Sequence, residues 1–187
     1  KAPFKVNGQD SILYDGVNSQ ILANQNKNKA YLYGFNAAVS VNITAELTLN
    51  STINYTKGEF ETDATKTSAI YKKQANGTYL LVQANVSKKP LDHVPPVFGK
   101  TSLQYAGKMW SAEFYALYNG WKKLDTYNAD GEDNAQYATA DGMPGWATLN
   151  IRGSINIKQV AQLQLGVENL LDRNYRYFAS GFSAPGR

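Results

Sequence analysis

Cysteine is absent from this 187-residue chain, and histidine occurs once. The first absence excludes a disulfide framework and says nothing against an oxidising compartment. Together they leave little for a zinc site, which takes about four Cys, His or carboxylate ligands. They leave equally little for hydrolytic templates built from a nucleophile, a base and an orienting group. His93 has only Asp92 beside it as a possible ligand, so it reads as a plain loop histidine. The expectation is therefore no metal, no cofactor and no enzyme. Also missing is any run of about eighteen apolar residues, which excludes a transmembrane helix. No basic, apolar and small-residue succession marks a signal peptide at the N-terminus. Charge is modest: the net value is +4, with lysines in scattered pairs such as Lys72-Lys73, Lys88-Lys89 and Lys122-Lys123. A nucleic-acid binder gathers its basic residues on one face, so that class is set aside.

What is present is aromatic and two-faced. Thirteen Tyr, seven Phe and three Trp stand among many Asn, Thr and Ser residues. Six stretches alternate apolar and polar residues: 31–42, 47–56, 101–106, 110–118, 146–157 and 161–167. In the fifth, Ala147, Leu149, Ile151, Ile155 and Ile157 share one face, while Thr148, Asn150, Arg152, Ser154 and Asn156 share the other. A period of two means β-strands with one wet and one dry side. The wet side is rich in Asn, Thr, Ser and Gln and poor in Lys and Glu, unlike an ordinary solvated surface.

The connections are unequal. Turns near 43–46, at Gly107-Lys108 and at Lys158-Gln159 are short, whereas 57–99 runs to about forty residues and 122–145 to about twenty-four, lengths that compact domains rarely tolerate without a use. In an up-and-down meander all short turns share one end and all long loops the other, the asymmetry of outer-membrane barrels. Tyr31, Tyr33, Tyr55, Tyr105, Trp110, Tyr118, Trp121 and Trp146 lie near strand ends, as interfacial girdles would. The fold class expected is all-β: an antiparallel up-and-down transmembrane β-barrel fragment with at least six long strands. A soluble antiparallel sandwich, serving as a binding or adhesion module, also alternates wet and dry faces and remains the rival.

The C-terminal stretch LGVENLLDRNYRYFASGFSAPGR, from Leu165 to Arg187, resembles the end of a TonB-dependent outer-membrane receptor. Asn169, Leu170, Leu171, Asp172 and Tyr175 match one family element, and Pro185, Gly186 and Arg187 match another. PLDHVPPVFGKTSLQY, from Pro90 to Tyr105, resembles the family's proline-rich lead-in to a strand. NKAYLYGFNAAVSV, from Asn28 to Val41, resembles a strand with a central glycine. The resemblance implies that residues 1–187 are the C-terminal part of a barrel of about twenty-two strands, with the plug domain and last strand absent. It also implies an energy-coupled transporter of a scarce solute, an iron-siderophore first, or else a corrinoid or a saccharide. Its partners would be outer-membrane lipid, its own plug and remaining strands, the small-molecule ligand, and the inner-membrane TonB complex engaged through an N-terminal region.

Candidate site residues follow. Tyr71, Tyr79, Trp121, Tyr127 and Tyr137, on or beside long loops, suit a ligand platform at the extracellular mouth, although girdle and packing roles are open to them. Glu113, Arg152 and Glu168 fall on the wet face, where they would line the lumen or pair with one another. Asp130, Glu132, Asp133 and Asp141 make an acidic loop that lacks the central glycine of a calcium loop, so solvated charge is expected there. Sequons at Asn42, Asn50, Asn54, Asn76 and Asn85 read as incidental to an Asn/Thr-rich wall.

Overall fold

Alternation along the chain is converted into one continuous antiparallel sheet. The structure is a computed structural model in which residues 2–23, 29–158 and 160–184 are described. Four short strands come first: β1 (Ala2–Pro3), β2 (Ser11–Tyr14), β3 (Val17–Gln20) and β4 (Leu22–Ala23). β2 and β3 form a hairpin around Asp15-Gly16, and β1 pairs with β4. Then come β5 (Ala30–Asn42), β6 (Leu47–Glu61), β7 (Thr67–Lys73), β8 (Tyr79–Asn85), β9 (Lys88–Pro90), β10 (Phe98–Ala106) and β11 (Trp110–Asn119). The last are β12 (Lys122–Lys123), β13 (Gly142–Met143), β14 (Trp146–Ile157) and β15 (Ala161–Val167). The main sheet runs β15-β14-β11-β10-β6-β5, and β9 joins the far end of β6 beyond β10.

Register carries the two faces across every strand. Val41, Leu49, Leu103, Phe114, Ile151 and Val167 lie in one cross-strand row, each paired to the next. Asn42, Thr48, Gln104, Glu113, Arg152 and Gly166 lie in the neighbouring row on the opposite face. Among the described residues no second layer covers the apolar face, and Leu165 is 71% exposed. A sandwich requires a second sheet there; a barrel wall requires lipid. Ser51 and Thr101, the polar pair on the apolar side, satisfy one another at 2.9 Å. Gly99 lets Tyr118 cross the sheet on that side and donate its hydroxyl to Thr52 O at 2.8 Å; a Cβ on Gly99 would stand 2.6 Å from that hydroxyl.

The polar face is knitted by short side chains. Ser40 donates to Asn50 at 2.8 Å, Thr48 to Asn42 at 3.0 Å, and Ser111 pairs with Ser154 at 2.8 Å. Asn42, Asn50 and Asn54 therefore work within the wall.

Strand ends fall where expected for β14 and β15, but β6 continues past Thr56 to Glu61. On its outer side Lys57 and Glu59 replace the apolar residues and pair at 2.8 Å. Backbone pairing with Tyr31 and Tyr33 persists after the apolar pattern has stopped, as in strands that rise above the lipid. The long connection is not a plain loop either. It contains the β7–β8 hairpin, turned at Asn76-Gly77, where Gly77 has φ of 88°. The second long connection holds the β12–β13 pair and two 3-10 turns, Leu124–Thr126 and Ala135–Tyr137. Because Ala30 pairs with Phe60, residues before β5 emerge at the long-loop end, and residues after β15 emerge there too.

Candidate functional site

On the polar face, strand register brings three charges together. Glu113 of β11 faces Arg152 of β14 directly, and its carboxylate is 5% exposed. Arg152 Nη2 lies 2.5 Å and Nε 2.6 Å from Glu113 Oε2, while Lys100 Nζ of β10 lies 2.6 Å from Oε1. A buried carboxylate needs such compensation, because desolvating a lone charge is costly. Both cations also approach the Tyr115 ring, Lys100 at 4.5 Å and Arg152 at 5.6 Å from its centroid. Tyr115 in turn donates to Glu168 at 3.5 Å. The three expected lumen charges thus form one network, with Lys100 and Tyr115 as members that sequence reasoning missed. Glu113, Tyr115, Arg152 and Glu168 line a concavity of about 660 Å³ that also takes in Gln104 and Gln164.

Above the sheet, the long connections meet at Lys122, whose ammonium is buried. It donates to Val94 O at 2.6 Å, lies 3.9 Å from Asp133 Oδ2, and stands over the rings of Phe178 at 4.7 Å and Tyr127 at 5.3 Å. Those partners come from three segments of the chain, so one cation ties the mouth together. Burial holds the Lys122 pKa below its ordinary value, against the pull of Asp133 and Asp92. Asp133, 1% exposed, is not the solvated loop charge expected: its Oδ1 accepts from the His93 backbone N–H at 2.7 Å. Burial raises its pKa, only partly offset by that hydrogen bond and by Lys122. Lys89 pairs with Asp130, and Asn128 donates to Asp92 at 3.2 Å.

The expected aromatic platform divides. Tyr127 is 2% exposed, with its hydroxyl pushed up to about 12 by burial, so it packs between the loops. Trp121 and Tyr137 are exposed, and Lys123 lies 3.6 Å over the Trp121 ring. Tyr71 and Tyr79 are half-buried on the β7–β8 hairpin. A second cluster was not anticipated. Trp146, read as a girdle residue, occupies the inward parity of β14, opposite Asn119. Its ring lies 4.2 Å from Tyr175 and 5.0 Å from Tyr177. Its indole donates to Arg176 O at 3.1 Å, and Arg176 reaches Tyr137 O at 2.8 Å. Trp146 shares the parity of Thr148 and Asn150, and that was the available signal.

The C-terminal motif is a turn whose residue types follow from its backbone. Asn169 and Asp172 have φ of 53° and 48°, left-handed values that Asn and Asp tolerate best among residues with side chains. Asn169 N–H donates to Asn150 Oδ1 at 2.8 Å, and its side chain closes a ring with Arg173 by bonds of 3.0 and 2.9 Å. Leu170 N–H donates to Leu149 O, extending the β14 ladder, and Tyr175 packs against Trp146 with the rings tilted by 38°. Pro185, Gly186 and Arg187 lie outside the described residues.

The model of a family described as TonB dependent receptor-like, beta-barrel, matches residues 3–170. Among solved structures, the chain resembles one titled "Copper transporter OprC", with a TM-score of 0.56 at 18% identity. That match covers 91% of this chain and 21% of the transporter, and at this identity it bears on the fold. No curated protein matches the sequence.

Proposed function

The chain belongs to the TonB-dependent receptor-like β-barrel family, and from that premise we propose that it forms part of an outer-membrane, energy-coupled importer of an iron-siderophore. The sheet is a stretch of outer-membrane wall, with lipid against the Leu103, Phe114 and Ile151 face. Its other face presents Asn, Thr, Ser and Gln side chains and the Lys100–Glu113–Arg152 network to a water-filled lumen. That network is the observation that carries the reading. A charge cluster on a wall facing lipid, or on the dry side of a sandwich, would be costly, whereas in a wet passage it is supported.

The solute class rests on the mouth. Tyr137, Trp146, Tyr175 and Tyr177 offer aromatic faces beside Arg176, a donor set that suits an organic solute better than a bare cation. The solved relative's title names copper, and a metal wrapped in an organic chelator reconciles a metal cargo with an aromatic mouth. In this reading the plug, the strands that close the barrel and the segment engaging the inner-membrane TonB complex belong to the rest of the receptor. The chain serves transport and does no catalysis.

Deleting the receptor gene tests the assignment. Uptake of a radiolabelled ferric siderophore should fall, return on complementation, and stop when the proton gradient is collapsed. Unchanged siderophore uptake, with loss of corrinoid, saccharide or copper uptake, would replace the cargo.

A further inference from the structure

The lipid-facing wall is not evenly ridged. One cross-strand row is Ala112, Gly153 and Leu165, and the next toward the short turns is Trp110, Ile155 and Leu163. Gly153 has no side chain and Ala112 a single methyl group, so the first row sinks below the second. The result is a cup of about 270 Å³, floored by Gly153 and Ala112 and walled by Trp110, Ile155, Leu163 and Leu165. It is smaller than the roughly 300–1,000 Å³ sites that hold folded small molecules, and its side chains are almost wholly apolar.

The cup lies at the short-turn end of the wall. Trp110 stacks on Tyr105 at 4.1 Å, an aromatic pair suited to the membrane interface. The adjoining turns are locked side by side, Asn156 N–H donating to Met109 O at 2.8 Å. They carry Lys108 and Lys158, both exposed, and no acidic residue lies between Gly153 and Leu165 or between Tyr105 and Ala112. Two lysines in adjoining turns beside an interfacial aromatic pair favour an anionic headgroup.

We propose that this cup is a lipid subsite that seats one acyl chain of an anionic phospholipid in the leaflet at the short-turn end, with its phosphate between Lys108 and Lys158. The site is continuous with the lipid-facing wall and rests on that placement, independent of the solute carried. The glycine is then a shape requirement, since a larger side chain at 153 fills the seat.

Native mass spectrometry of the intact receptor, released from mild detergent after titration with phosphatidylglycerol or phosphatidylethanolamine, tests the proposal. The wild type should retain phosphatidylglycerol preferentially. Gly153→Leu should weaken retention about tenfold, and the Lys108→Gln/Lys158→Gln pair should abolish the preference between headgroups. Ala116→Leu, on the same face away from the cup, should match wild type. Should Gly153→Leu fail to fold, as heat-modifiable migration would reveal, Leu163→Ala/Leu165→Ala removes the walls and should weaken retention as well. Retention unchanged when the cup is filled or dismantled would overturn the proposal. So would a receptor dimer that Gly153→Leu dissociates while bound lipid persists, since the cup would then hold a second copy.

Discussion

Glu113 and Arg152 stand opposite one another in the β11–β14 register, and their side chains meet at 2.5 Å on the inner side of the wall. Arg152 is 60% exposed on its side chain whereas Glu113 is 5% exposed, so the acid is the buried partner and the cation the solvated one. The asymmetry predicts unequal consequences. Glu113→Ala strands Lys100 and Arg152 together and should cost about 1–2 kcal/mol, the value for a buried pair reduced because both cations reach water. Arg152→Ala leaves Lys100 on the carboxylate and should cost less. A double-mutant cycle read by unfolding in detergent measures the coupling; strict additivity would mean the contact is absent.

Face assignment makes a second prediction. Ile151→Arg in the intact receptor should cost about 2–4 kcal/mol near the membrane midplane, and Gln164→Arg, on the lumen side, about 0–1 kcal/mol. Asn150, the polar-face neighbour of Ile151 in β14, is unsuitable as a control. It is 2% exposed and bonds Tyr115 O, Thr148 and the Asn169 N–H. Arginine there should be costly for reasons unrelated to lipid. Unfolding in liposomes that ranks Gln164→Arg equal to Ile151→Arg would reverse the faces.

The mouth has a pH signature. Burial raises the pKa of Asp133 above its ordinary value of 3.8 in the folded loop, so folding favours its protonated form. That contribution is fully present below 3.8 and is lost as pH rises through the raised value. Hydrogen exchange over residues 119–143 should therefore slow as the pH falls through that raised value towards 3.8, once corrected for intrinsic rates. Asp133→Asn should remove this trend. Protection that falls steadily with acid in both proteins would contradict it.

Asn169 combines a left-handed backbone with three hydrogen bonds. Asn169→Ala should cost about 2–3 kcal/mol, from lost bonds and an unfavourable φ, and should open residues 170–184 to protease. Asn169→Gly relieves the backbone cost alone and should fall between alanine and wild type. Equal protease resistance in all three would show that the turn does not depend on this residue.

Much of the wall was legible because period-two patterning is a direct imprint of a sheet with two environments. Trp146–Ile157 and Ala161–Val167 were bounded by the alternation itself. The long connections were opaque for a physical reason. β7, β8 and the 3-10 turns lie outside the lipid, so nothing forces their side chains into an apolar stripe. Lys122 and Asp133 read as ordinary loop charges because their burial depends on three segments distant in sequence. Trp146 was misread through its proximity to a strand end, although its parity already placed it inward. Glu113 and Arg152 were legible as neighbours on the polar face, while the parts played by Lys100 and Tyr115 required the register between β10, β11 and β14.

We place this sheet as barrel wall with its long connections on the cell exterior. Cysteine accessibility on intact cells tests it most directly, and the chain supplies no background thiol of its own. Ala75→Cys, at the tip of the β7–β8 hairpin, should react with a membrane-impermeant maleimide. Lys108→Cys, in the short turn between β10 and β11, should react only after the outer membrane is permeabilised. Labelling of Lys108→Cys on intact cells with Ala75→Cys protected would contradict the account.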